Sequence, residues 1–202
     1  TGSGGDYGNG AVFEASPPPD VPVYLAVNQQ PTDTTAGSVI SSITVAIDDS
    51  NGQPVTADAS TVTVRLGDSS RPADLAGTTT ATVINGIATF DNLSLTAAGT
   101  YTLSFSDDTL LSTKSASFEV LPSAATQLVF ATKPAGGPAG SQMPAVNVDV
   151  EDQYGNIVTS DGSNVTLAAS GFDGTLTVAA QDGVAIFGDL SSTIAGAYTL
   201  TA

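Results

Sequence analysis

The sequence predicts an all-β chain of two tandem sandwiches, and three observations carry the prediction. Apolar residues alternate with hydroxyl residues at period two, turn dipeptides separate the runs, and the chain repeats itself after about 100 residues. In chain order, Ile43, Val45 and Ile47 alternate with Thr44 and Ala46, and Val62 and Val64 alternate with Thr61, Thr63 and Arg65. Tyr101, Leu103 and Phe105 do the same with Thr102 and Ser104. β-Branched and aromatic side chains on one face with hydroxyls on the other suit half-buried strands. Asn51-Gly52, Asn85-Gly86 and Asp182-Gly183 supply the positive φ that tight hairpin turns need. No stretch combines helical periodicity with caps.

Composition narrows the function classes. The 202 residues include 20 acids and 4 bases, giving a net charge of −16, and no His, Cys or Trp. Ser-His and Cys-His nucleophilic pairs, thiolate or imidazole metal sites and disulfides are therefore excluded. Four bases cannot neutralise a phosphate backbone, so nucleic acid is not an expected partner. Charged residues make up 12% and hydrophobic ones 41%, enough apolar content for a core. No apolar run approaches the roughly 20 residues of a membrane helix. The opening TGSGG lacks the basic and apolar regions of a signal peptide, so the chain reads as a mature product or an excised segment. Few bases and abundant Thr, Ser and Gly suit a prokaryotic extracellular, cell-surface protein. Aromatic residues, at 6%, form no cluster that would hold a sugar between paired carboxylates, and an enzyme is not expected.

Self-comparison defines the repeat. Val45–Thr56 (VAIDDSNGQPVT) matches Val148–Thr159 (VDVEDQYGNIVT) at an offset of 103, which also pairs Pro31 with Pro134, Gly37 with Gly140, Asp58 with Asp161 and Val62 with Val165. NGIATFDNLSLTAAGTYTL then matches DGVAIFGDLSSTIAGAYTL at an offset of 97, pairing Phe90 with Phe187 and Tyr101 with Tyr198. The second copy is thus six residues shorter around the Ser69–Thr80 loop. Two copies of about seven short strands each indicate two immunoglobulin-like sandwiches. The expected division is 1–20, a leading strand segment and Pro-rich spacer; 21–122, the first sandwich; and 123–202, the second.

An early Ala-Gly, a V-x-V-x-D-x-x-G-N/Q turn, then G-x-A-x-F-x-x-L and A-G-x-Y-T-L resemble bacterial Ig-like repeats of the invasin and intimin type. The resemblance covers about residues 23 to 202. It implies an Ig-like fold and a place in the stalk of a surface protein or adhesin, where most modules are spacers.

The two copies end differently. After its YTL the first continues to Ala116-Ser117-Phe118-Glu119-Val120-Leu121-Pro122, a closing strand with Ala116, Phe118 and Val120 expected inward. The second copy reaches Ala202 without such a strand. Ala11-Val12-Phe13-Glu14-Ala15-Ser16-Pro17 reads like the missing piece, with Ala11, Phe13 and Ala15 on one face, and Pro17-Pro18-Pro19 forms a stiff spacer. Two readings follow. In one, this segment of one subunit fills the second sandwich of the next, giving a homopolymer by donor-strand complementation. In the other, the residues belong to a longer tandem array whose next strand lies in the same chain.

Other candidates read as structural. Asp48-Asp49-Ser50-Asn51-Gly52 and Glu151-Asp152-Gln153-Tyr154-Gly155-Asn156 place acids beside tight turns. Asp33, Asp91, Glu151 and Asp152 are weak candidates for calcium at a junction; turn chemistry is the stronger reading, and no cofactor is expected. Lys114 and Lys133 stand near strand ends, where a solvated lysine outweighs an isopeptide crosslink. Asn92-Leu93-Ser94 and Asn164-Val165-Thr166 fit the short N-glycosylation pattern. Tyr101 and Tyr198 match the tyrosine corner of Greek-key sandwiches, while Phe90, Phe118, Phe130 and Phe187 read as core.

Overall fold

The computed structural model describes residues 20–132 and 134–202. Among them every regular element is a strand. The first unit contains β1 (Tyr24–Gln29), β2 (Thr34–Thr35), β3 (Ile43–Asp48), β4 (Thr61–Ser69), β5 (Thr80–Thr82), β6 (Ile87–Phe90), β7 (Gly99–Ser106), β8 (Thr113–Lys114) and β9 (Phe118–Leu121). The second contains β10 (Ala125–Phe130), β11 (Val146–Asp152), β12 (Asn164–Thr166), β13 (Thr177–Ala179) and β14 (Val184–Phe187).

In the first unit a β1-β3-β6 sheet faces a larger sheet ordered β2-β9-β7-β4-β5, with β8 also paired to β7. Their inward residues form one core: Leu25, Ile43, Val45, Ile47, Ala88 and Phe90 from the first sheet, and Val62, Val64, Tyr101, Leu103, Phe105, Phe118 and Val120 from the second. Phe90 and Phe105 bridge the sheets with ring centroids 5.6 Å apart. Such burial of alternate residues from two sheets is the organising force of a sandwich. In the second unit β10-β11-β14 repeats the smaller sheet, but the facing sheet is only β12-β13. Its core runs from Val146, Val148 and Val150 through Val165 and Leu167 to Ala185, Phe187 and Leu190, with Phe130 partly buried against it.

Turn chemistry sets the hairpins. Asn85 and Asp182 have φ of 52° and 49°, and the glycines after them 79° and 77°, the two-residue turns expected from Asn-Gly and Asp-Gly. Asn51-Gly52 differs from expectation, because only Gly52 has a positive φ (75°). There Asp49 Oδ1 accepts the amides of Asn51 (2.7 Å) and Gln53 (3.0 Å), so a carboxylate shapes the loop.

Three further expectations are corrected. Nine described strands and five replace seven in each copy, since short β2, β5 and β8 were not legible as runs and the second unit pairs fewer strands. Ala46 is fully buried along with Ile43, Val45 and Ile47, because β3 lies in the middle of its sheet and is covered on both faces. Ala116 is exposed. The buried residue beside it is Ser115, whose Oγ accepts the Leu103 amide (2.9 Å) and donates to the Ala116 carbonyl (2.7 Å), so inward alternation begins only at Phe118.

Candidate assembly interface

The closing strand of the first unit defines a slot. β9 runs parallel to β2, with Thr34 opposite Val120, and antiparallel to β7, with Tyr101 opposite Phe118. Phe118 and Val120 point into the core, and the Tyr101 and Phe118 rings lie 6.3 Å apart. The strand is fixed at its edges by the Ala36 amide donating to the Leu121 carbonyl (2.8 Å) and the Glu119 amide donating to Asp33 Oδ1 (2.7 Å).

In the second unit no described residue fills the same place. By the repeat offsets, Gly137 and Pro138 stand where β2 stands, and Tyr198 and Leu200 where Tyr101 and Leu103 stand. Between them lies a cleft of about 490 Å³, lined by Gly137, Pro138, Met143, Phe172, Tyr198 and Leu200 among others. No described residue takes the position of Phe118 or Val120 there. Tyr101 is fully buried, whereas Tyr198 is 39% exposed and rests edge-on against Phe172 at 5.0 Å. Both tyrosines keep the corner bond expected of them: Tyr101 Oη donates to the Ala97 carbonyl (2.8 Å) and Tyr198 Oη to the Ile194 carbonyl (2.7 Å). The rim of the slot is therefore built alike in both units although its filling differs. A second opening of about 340 Å³ lies beside Ala125, Leu128, Val150 and Ala202. In the first unit Leu25 is 5% exposed and Tyr24 bridges Leu111, but Leu128, the counterpart of Leu25, is 41% exposed.

The two units meet through the acidic turn of the second. Asp152 is fully buried, and its Oδ1 accepts the amides of Tyr154 (2.8 Å) and Asn156 (3.0 Å). Its Oδ2 accepts the Ser123 amide (2.9 Å) and hydroxyl (3.2 Å) and Asn156 Nδ2 (2.9 Å). Burial alone would raise this carboxyl, but the hydrogen bonds from Asn156, Ser123 and Tyr154 outweigh it and hold the pKa at about 2. Asn156 then crosses to the first unit, where Nδ2 donates to the Thr96 carbonyl (2.8 Å) and Oδ1 accepts the Ala98 amide (2.8 Å). Tyr154 covers Gly37, whose φ of 81° and lack of a Cβ admit the ring; a Cβ there would overlap the phenol.

The segment Ala11, Val12, Phe13, Glu14 and Ala15 lies outside the described residues, as does Lys133. The four acids named for calcium occupy separate roles. Asp33 caps the Glu119 amide, Asp91 is exposed beyond β6, Glu151 accepts Gln127 Nε2 (3.2 Å), and Asp152 holds the junction. Among the described residues no group of three or more acids converges as a metal site. Lys114 makes an exposed 2.9 Å ion pair with Asp68. Asn92 exchanges bonds with Thr78, its Oδ1 accepting the amide and Nδ2 donating to the hydroxyl. The crossing role of Asn156 was not legible in the sequence; its only signal was the repeated D-x-x-G-N/Q pattern.

No family model matches the sequence, and no curated protein matches it. Among solved structures it is similar to a β-glycosidase from Bacteroides vulgatus, at 22% identity and TM-score 0.41, over 50% of this chain and 14% of that one. It is similar to the D0-D1 domain of intimin at 18% identity and TM-score 0.37, over 85% of each chain. InvD of Yersinia pseudotuberculosis follows at 17% identity and TM-score 0.37, over 84% of this chain and 54% of that one. These are partial likenesses of fold, and they include the intimin type that the sequence pattern resembles.

Proposed function

We propose that the chain is a structural subunit of an extracellular filament, joined head to tail by a donor strand. The observation that supports this reading is the cleft between Gly137-Pro138 and Tyr198-Leu200, at the place β9 occupies in the first unit. Residues 11–15 have the sequence to fill it. Phe13 takes the part of Phe118, Ala15 that of Val120, and Glu14 faces outward like Glu119. Ala11 corresponds to the exposed Ala116, so Phe13 and Ala15 carry the inward contacts rather than all three. Main-chain pairing along two edges supplies affinity, and the Phe pocket supplies register. No described helix is long and apolar enough to cross a membrane.

The second opening over Leu128 favours another reading, a stalk segment of a surface adhesin. Chain continuing beyond Ala202 in the manner of residues 106–122 would cover both openings, whereas a donor of residues 11–15 covers one. Deleting residues 1–16 separates the two. Under the filament reading, negative-stain images of the full chain show polymers and the deletion abolishes them. Polymers that persist without residues 1–16 would sink donor exchange; monomers from both chains would favour the stalk.

A further inference from the structure

The Asn156 joint has a second, unfilled copy of each half. Its receiving half in the first unit is Gly37 with the Thr96–Ala98 loop; the repeat offsets place Gly140 and Thr193–Ala195 at the same points of the second unit. The two halves match in detail. Gly37 and Gly140 both have φ of 81°. The Gly37 amide donates to the Leu95 carbonyl (2.8 Å), and the Gly140 amide to the Ser192 carbonyl (2.7 Å). Each loop is pinned by its tyrosine corner to the residue four before it. Gly37 is covered by Tyr154, while no described atom lies within 4 Å of a Cβ at Gly140, and Thr193 and Ala195 are exposed.

The inserting half is also duplicated, with Asn51 in the place of Tyr154. Asp49 accepts the amides of Asn51, Gln53 and Asp20 (3.4 Å), as Asp152 accepts those of Tyr154, Asn156 and Ser123. Gly52 and Gly155 have φ of 75° and 78°. Gln53, the counterpart of Asn156, is exposed, and its Nε2 donates a local bond to the Gly52 carbonyl (3.3 Å) that docking would exchange.

We infer that Gly140 and Thr193–Ala195 form a docking socket for the Asp49–Gln53 turn of a second copy of this chain. Gln53 would donate to the Thr193 carbonyl and accept the Ala195 amide, its extra methylene reaching where Asn156 is shorter. The inference rests on the head-to-tail reading, and the chain order agrees with it. β9 precedes Ser123 and the Asp152 turn; the 11–15 segment likewise precedes Asp20 and the Asp49 turn. Phe118 lies five residues before Ser123 and Phe13 seven before Asp20, so the trans joint has two residues of slack, up to about 7 Å.

The absence of native cysteine makes disulfide mapping clean. Gln53→Cys and Ala195→Cys chains, both altered at exposed positions, are mixed and mildly oxidised. An Ala98→Cys/Asn156→Cys chain, closing across the joint already seen, calibrates the geometry. The expected product is the mixed 53–195 dimer, at least about five-fold above either homodimer, a preference of about 1 kcal/mol. Statistical pairing, or no mixed product while the calibrating chain closes, overturns the socket. Repeating the mixture in a Phe13→Asp background separates the two proposals. With Phe13 native, polymers without the mixed bond leave the donor strand standing and remove the socket. A selective bond at high protein concentration in chains that Phe13→Asp leaves fully polymerising upholds the socket and removes the donor strand.

Discussion

At the scale of single residues, two buried aspartates show how position decides what a carboxylate does. Asp152 gathers five hydrogen bonds from three residues, and its charge is favoured in the fold. Asp48 is also buried, but its Oδ1 has no partner among the described residues, and burial followed by the neighbouring Asp49 charge raises its pKa. The two therefore have opposite linkage. Because the folded pKa of Asp152 lies near 2 against a usual 3.8, its stabilisation is complete above pH 4 and is lost as pH falls from about 4 through 2. Asp48 holds its proton more tightly when folded, so its penalty fades as pH falls. Asp152→Asn turns one acceptor oxygen into a donor amid several N–H groups, and is expected to cost about 1–3 kcal/mol at pH 7. Urea denaturation across pH 2–7 checks this: the difference between native and Asp152→Asn should shrink below pH 4. A constant difference would assign the effect to packing rather than to charge.

At the scale of elements, β9 shows what the sequence could and could not convey. Its Phe-Glu-Val alternation made Phe118 and Val120 legible as core, and both are buried. Ala116 misled because period-two reading extends a strand backward until something stops it. The stop is Ser115, which bonds β7 and the next carbonyl, and a serine carries no such signal in one dimension. The hairpins at Asn85-Gly86 and Asp182-Gly183 were legible because φ > 0 at both positions leaves few residue choices. The Asn156 joint was not, since D-x-x-G-N is already a self-sufficient turn and nothing in its spacing announces a second unit above it. Removing the β9 anchor provides an energetic check. Phe118→Ala leaves a cavity beneath Tyr101 and should destabilise the first unit by about 3–5 kcal/mol in chemical denaturation. A loss below about 1 kcal/mol would mean that β9 is not a structural keystone of the sandwich.

At the scale of the whole molecule, one plan appears in both units, and the described residues fill it differently. The first unit closes its larger sheet with β8 and β9; the second presents the same tyrosine corner, with Gly137-Pro138 in the place of Thr34-Thr35, around a cleft that no described residue fills. An open edge backed by apolar side chains is costly in water and is where another strand adds. The described acids lie mostly on turns and outer faces. The central claim is that the cleft beside Tyr198 receives a strand of the 11–15 type. Its most direct measurement is an isotope-edited NMR titration of the chain lacking residues 1–16 with a peptide of residues 8–19. Saturable binding is expected, with contacts between the Phe13 ring and Tyr198 and loss of binding for a Phe13→Asp peptide. No perturbation at Tyr198 and Leu200 under excess peptide, or equal binding of the Phe13→Asp peptide, would contradict it.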